Sequence, residues 1–211
     1  MARSRASDYD DKRRTILNRS AELFSEHGYD RASMNKIAEA CGVSKANLYH
    51  YYKDKEELLF DVIRFHLEEL LETVEAADHP ELPPPERLRD LVGGLLEAYR
   101  DADSQHNVQI NSLRFLPPER QAELKAMERE LVRIFSDAVL GIAPQLKGTR
   151  MLKPVTMSLF GMLNWHYLWF RDGGDVTRAD YADLVTKLIS DGTRTLRAQP
   201  RAASKRSAAA E

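Results

Sequence analysis

One cysteine, Cys41, in 211 residues excludes an intrachain disulfide, and no Cys or His stands beside it at metal-ligand spacing. Long apolar runs are also missing: nothing approaches the roughly 18 residues that a membrane-spanning helix needs. The opening MARSRASDYDDKRR has no apolar core and no small-residue cleavage site of a secretory signal, so a cytoplasmic protein without membrane contact is expected. A large charge of one sign is absent too, because the net charge is -2, and any affinity for nucleic acid must therefore come from a local patch. No stretch alternates apolar and polar residues as a half-buried strand does. Signatures of catalysis are missing as well: there is no nucleophile elbow, P-loop, dinucleotide fingerprint or His-Glu-x-x-His, and the six histidines lie scattered at 27, 50, 66, 79, 106 and 166. The expectation is a non-enzyme with no cofactor and no metal.

Helical periodicity fills the chain instead, and an all-α fold is predicted. A first helix is expected from about Tyr9 to His27, with Leu17, Ala21 and Phe24 inward and Gly28 at its C-terminal cap. Ser33 then opens a short helix with Met34, Ile37, Ala38 and Cys41 inward. Gly42 stops it, and Ser44 opens another with Leu48 and Tyr52 inward. Asp54, with Glu57 three residues on, caps a long helix from Lys55 to about Ala77 that carries two apolar stripes, one with Leu59 and Ile63, the other with Phe60, Leu67 and Leu71. The prolines of HPELPPPE, residues 79 to 86, break it. Further helices are predicted to about Asp101, around Gln105 to Arg114, from Pro118 to Ile142, from about Met151 to Arg171, and from Thr177 to about Arg197. The Ala, Ser, Lys and Arg tail reads as disordered.

The informative stretch is SMNKIAEACGVSKANLYHYYKDKEEL, residues 33 to 58. Two short helices joined at Cys41-Gly42-Val43 make a helix-turn-helix, whose second helix is of a size to lie in a major groove. Lys45 offers charge, Asn47 a donor and an acceptor, Tyr49 and His50 hydrogen-bonding rings, and Tyr51 a further hydroxyl. Ser33 and Ser44 add hydroxyls at the two helix starts, and Lys55 a cation at the start of the next helix. Arg3, Arg5, Lys12, Arg13 and Arg14 gather at the entry to the first helix, where they would form an arm along the DNA backbone.

This stretch resembles the DNA-binding signature of the TetR family, with its Ile-Ala, Gly-Val-Ser, Leu-Tyr and Lys-Glu-x-Leu landmarks at Ile37-Ala38, Gly42-Val43-Ser44, Leu48-Tyr49 and Lys55 to Leu58. The resemblance covers roughly residues 10 to 60. It implies that Lys45, Tyr49, His50 and Lys55 hold phosphates and that Ala46 and Asn47 face bases; many relatives carry Gly where this chain has Ala46. It further implies a homodimeric repressor that binds an inverted-repeat operator and is released by a small molecule.

Three segments follow on this reading: residues 1–54 bind DNA, 55–197 sense a ligand and dimerise, and 198–211 form a disordered basic tail. Polar and aromatic residues interrupt the apolar helices at Tyr99, His106, Asn107, Asn111 and Arg114, and again at Asn164, Trp165, His166 and Trp169. A ligand pocket has this mixture of apolar lining and a few convergent polar groups. Phe60 and Leu67 would complete it. The segment MLNWHYLWFRDGG resembles regulators of this family that respond to acyl-CoA thioesters, which makes an aromatic or fatty acyl-CoA the leading effector and a free hydrophobic acid or drug the alternative. Arg114, Arg171 and Lys153 would hold the CoA phosphates. The two tryptophans fit a dimer interface equally well, as do Val155, Leu159, Leu163, Leu184, Leu188 and Ile189, which fit the subunit core as well.

Overall fold

The computed structural model describes residues 2–196, with side chains from Tyr9 onward. The side chains of Arg3 and Arg5 and the segment 198–211 lie outside the described residues. Nine α-helices and three single 3₁₀ turns make up the regular structure among them, without a strand. They are α1 (Ala2–His27), α2 (Met34–Ala40), α3 (Lys45–Tyr51), α4 (Lys55–Ala76), α5 (Pro84–Ala98), α6 (Asp103–Ser112), α7 (Pro118–Ile142), α8 (Leu152–Asn164) and α9 (Arg178–Thr193), with the 3₁₀ turns at Leu113–Phe115, Pro144–Leu146 and His166–Leu168.

Two of these elements depart from expectation. α1 starts at Ala2 rather than near Tyr9, since nothing between residues 2 and 27 is Gly or Pro and no breaker interrupts helix propagation. The helix predicted from Met151 to Arg171 stops at Asn164 and tightens into a 3₁₀ turn. His166 is thereby seated between Phe170 and Tyr181, with ring centroids 4.1 and 5.3 Å away. His166, Trp169 and Phe170 of this segment pack their rings on one another, and His166 and Trp169 also meet Tyr181 of α9.

The described residues divide into two compact units, 2–73 with 98–130, and 74–97 with 131–196. In the first unit α1 packs along α6 and against α2, and α2 against α3. Leu17, Ala21 and Phe24 of α1 meet Met34, Ile37 and Ala38 of α2, Leu48 of α3 and Leu58, Leu59 and Ile63 of α4 in one buried core. Each fully buried aliphatic side chain there contributes about 1.5–3 kcal/mol. A carboxylate fastens α4 to α1: Asp61 accepts from Arg13 at 2.7 Å and from Arg64 at 3.0 Å. At the start of α4, Asp54 accepts from the Glu57 amide at 2.7 Å, while the Glu57 carboxylate reaches back to the Lys53 amide at 2.9 Å. In the second unit, α5, the C-terminal half of α7, α8 and α9 close over Leu91, Leu95, Phe135, Leu159, Leu163 and Val185. Phe135 meets Phe160 edge to face at 5.0 Å, and Thr177 with Asp180 forms a full capping box at the start of α9.

Buried histidine makes the first unit acid-sensitive. His66 of α4 is 1% exposed, its Nε2 has no hydrogen-bond partner among the described residues, and the His106 ring lies 6.1 Å away. Burial, reinforced by His106, lowers its pKa from 6.5 to about 3. The unfolded chain therefore takes up a proton near pH 6.5 that the folded chain refuses, and stability present above pH 6.5 is lost progressively as pH falls toward 3. Linkage gives a loss of about 2 kcal/mol between pH 7 and 5. Urea titrations at the two pH values should show it, and His66→Phe should flatten the dependence; an unchanged slope in that variant would remove His66 as its source.

Candidate nucleic-acid interface

The recognition surface begins with two serines. Ser33 and Ser44 both have extended backbones, and their hydroxyls accept from the amides of Lys36 at 3.3 Å and Asn47 at 3.1 Å. Each such N-cap contributes about 1 kcal/mol to a helix of only two turns. Between them Gly42 has φ +62°, a left-handed turn that a side chain would strain. The turn ends α2 and directs the chain into α3 within four residues.

Only Leu48 of α3 is buried, at 0% exposure, and it anchors the helix on the core. Lys45, Ala46, Asn47, Tyr49 and His50 are all exposed on the remaining surface. The Lys45 ammonium lies 5.8 Å from the Tyr49 ring centroid, so charge and phenol sit side by side. Tyr51, half-buried, stacks on Tyr9 of α1 at 4.7 Å and carries His50 edge-on at 6.1 Å. Ser33 and Ser44 are exposed as well, with their oxygens engaged as caps and their hydroxyl protons still to donate. The result is a short helix offering a cation, an amide, a phenol and an imidazole to solvent from a single buried pivot. Phosphate oxygens and base edges are recognised by these groups.

Lys55 stands at the start of α4, as its place in the motif implies, and its ammonium has partners within the protein. Its ammonium donates to the carbonyls of Tyr29 at 2.7 Å, Ala32 at 2.9 Å and Asp30 at 3.4 Å, and lies 4.2 Å from the Tyr29 ring centroid. It closes the α1–α2 loop. Sequence reasoning missed this because its partners are backbone oxygens 23 to 26 residues upstream, and backbone leaves no trace in residue identity.

The residues expected to meet a ligand fall in both units. Leu67 is fully buried in the core of the first unit, and Phe60 is half-buried beneath the guanidinium groups of Arg64 and Arg120. Tyr99 is buried with its ring 4.5 Å from that of His106. Asn107, Asn111 and Arg114 are brought together at one cleft of the first unit, beside Tyr29, Arg31 and Phe115, none of which was singled out. In the second unit Asn164 ends α8, while Trp165 and Trp169 are 59% and 52% exposed. Of the six apolar residues proposed for a dimer contact, Val155, Leu159, Leu163 and Ile189 are buried in the subunit, whereas Leu184 and Leu188 are half exposed on α9. No helix among the described residues is long and apolar enough to cross a membrane.

Comparison with known proteins agrees with this geometry in both halves. Residues 16–62 match the model of bacterial regulatory proteins of the tetR family, and residues 81–193 that of the Tetracyclin repressor-like C-terminal domain. A TetR-family transcriptional regulator from Bordetella parapertussis 12822 is 34% identical, with a TM-score of 0.79 over 89% of this chain and 98% of that one. AibR, solved in complex with isovaleryl coenzyme A and operator DNA, is 29% identical, with a TM-score of 0.71 over 85% of this chain and 98% of its own. The HTH-type transcriptional regulator YhgD of Bacillus subtilis is 25% identical over 74% of this chain and 86% of its own length. A capped helix-turn-helix with an open polar recognition face, followed by a C-terminal helical domain that matches its own family model, makes this chain a member of the TetR family of transcriptional regulators.

Proposed function

We propose that the chain is a cytoplasmic, homodimeric repressor that binds an inverted-repeat operator through α3 and is released by an acyl-CoA thioester. The observation that carries the DNA-binding assignment is the single buried pivot of α3, Leu48, with Lys45, Ala46, Asn47, Tyr49 and His50 all turned to solvent. Lys45, Tyr49 and His50 hold phosphates and set affinity; Asn47, with Ala46 beside it, meets base edges and sets preference. Residues 1–54 serve DNA binding, and residues 55–197 sensing and dimerisation.

An acyl-CoA is favoured as effector by the likeness to AibR, whose structure holds isovaleryl coenzyme A. A coupling of about 1–3 kcal/mol between effector and operator shifts affinity some 5–150-fold, enough for a switch, provided the effector favours the state that cannot grip DNA.

Operator titrations with a panel of CoA esters and the matching free acids test the reading. Tyr49→Ala should weaken binding to every sequence about tenfold, whereas substitution of Asn47 should alter preference at one base pair by about 1–3 kcal/mol. An aromatic or branched acyl-CoA should loosen the complex. A Tyr49→Ala variant that binds like the parent removes α3 as the reading element; release by a free acid alone removes the CoA.

A further inference from the structure

The recognition helix rests on the core along one line. Leu48 and Tyr52, the residue that caps the C-terminal end of α3, are both buried and stand four residues apart, so they lie one above the other on a single face. Contact along one line fixes where a helix lies and leaves its roll about that line to side chains off it. Lys45, Ala46, Asn47, Tyr49 and His50 are exposed. Tyr51 differs from them. It stands about 100° round the helix from Tyr52, is half-buried, and stacks on Tyr9 of α1 with ring centroids 4.7 Å apart and an angle of 21° between the planes. The His50 ring lies edge-on to Tyr51 at 6.1 Å, so three rings touch in series from α1 to the recognition face.

The helix that supplies Tyr9 is itself held. One turn further along α1, Arg13 donates to Asp61 of α4 at 2.7 Å, and α1 packs along α6 and against α2. Tyr9 and Arg13 share a face of α1, which thus grips α4 by an ion pair and α3 by a ring stack. Burial does not account for Tyr9, which is 44% exposed. A direct phosphate contact is disfavoured by Asp10 and Asp11 beside it, both exposed and both of the sign that phosphate repels.

We propose that Tyr9 is a positioning residue for operator reading: by stacking on Tyr51 it sets the roll of α3, and with it the directions in which Asn47, Tyr49 and His50 face the DNA. This role rests on α3 as the reading element and requires no effector. Aromatic pairing shifts an equilibrium about 2–10-fold. Without the stack the operator-competent roll is populated only in part, and apparent affinity falls by that fraction. Nonspecific binding follows charge rather than orientation and is spared.

Fluorescence anisotropy of the full chain tests this, with a duplex that the parent selects from a randomised pool and a scrambled duplex of the same length. The variants are Tyr9→Ala, Tyr9→Phe, Tyr51→Ala, Tyr9→Ala with Tyr51→Ala, and Tyr49→Ala, all read well below their melting temperatures. Tyr9→Ala should weaken the selected duplex about 2–10-fold for each recognition helix engaged, and leave the scrambled duplex and the salt slope unchanged because no cation is lost. Tyr9→Phe keeps the ring and should bind like the parent. The double variant should bind as Tyr51→Ala does, since each substitution removes the same contact. A loss in Tyr9→Phe equal to that in Tyr9→Ala would make the hydroxyl a direct DNA contact, and additive losses would make Tyr9 act apart from Tyr51; either overturns the proposal. So does a Tyr9→Ala variant that binds like the parent or loses both duplexes alike. If Tyr49→Ala binds the selected duplex like the parent, α3 is not the reading element and the role of Tyr9 falls with it. If Tyr49→Ala weakens binding and Tyr9→Ala does not, the reading of α3 stands and the positioning role alone falls.

Discussion

Replacing Leu184 and Leu188 together by glutamate is expected to give a folded monomer whose operator affinity is lower by two to four orders of magnitude. The two leucines lie one turn apart on α9, 50% and 52% exposed. A single exposed leucine is ordinary on any surface. Here, however, Met157 on α8 and Trp165, Leu168 and Trp169 just after it are also about half exposed, and α8 packs against α9. Such a concentration of apolar surface on adjoining elements marks a contact face, and a second copy of the chain is the occupant that an inverted repeat requires. Each α3 offers only a two-turn helix to its half-site, so the second half-site is gripped effectively as an intramolecular event. Loss of that linkage costs about 10²–10⁴ in affinity. The substitutions add no strain to the monomer, because both positions already face solvent. Sedimentation at micromolar concentration should show half the parent mass, and fluorescence anisotropy with labelled operator should show the loss. Persistence of the dimer would place the interface elsewhere; a monomer that binds operator as tightly as the parent would sink the two-fold model.

Lys55→Met should lower stability by about 2–4 kcal/mol. The lysine's ammonium makes two short charge-assisted hydrogen bonds, at 2.7 and 2.9 Å, and one long one at 3.4 Å, in a half-buried position. Hydrogen bonds to charged groups contribute about 1.5–3 kcal/mol each, discounted here because the released carbonyls regain water in part. A fall in Tm of about 5–12 °C follows for a chain of this size. Methionine retains the aliphatic stem over Tyr29, so the loss reports the ammonium. Lys55→Arg is expected to rescue little, since a planar fork does not fit a pocket of converging carbonyls made for a point charge. Thermal melts read the stability, and operator titration well below Tm reads the DNA. A melt equal to the parent's together with weakened operator binding would return Lys55 to the phosphate role that its motif position implies.

What could be read from residue order was what depends on neighbours in the chain. The caps at Ser33, Ser44, Asp54 and Thr177 act over three residues, Gly42 acts on its own φ, and the inward faces of α1 to α4 follow a period of 3.6. Each is a local rule, which is why α7 is found at Pro118–Ile142 as periodicity and its opening proline predicted. The exposed face of α3 was legible for the same reason: once Leu48 is taken as the anchor of so short a helix, the rest must face out.

Contacts between distant segments could not be read this way. The identity of Lys55 does not tell that its ammonium meets three carbonyls, which only the approach of the α1–α2 loop brings to it. The Trp165–Phe170 run looked helical because periodicity counts apolar residues without regard to ring stacking, and the Tyr181 ring that competes for His166 comes from the next helix. Arg31 and Arg114 became members of one cleft only when α1 and α6 packed side by side. Sequence by itself determined most of the helices and the helix-turn-helix, because these rest on short-range periodicity and capping, and the regulator class followed from the resemblance of that motif to the TetR signature. The tertiary structure alone decided which cations are spent within the protein and which remain for a ligand, because charge is satisfied through space and not along the chain.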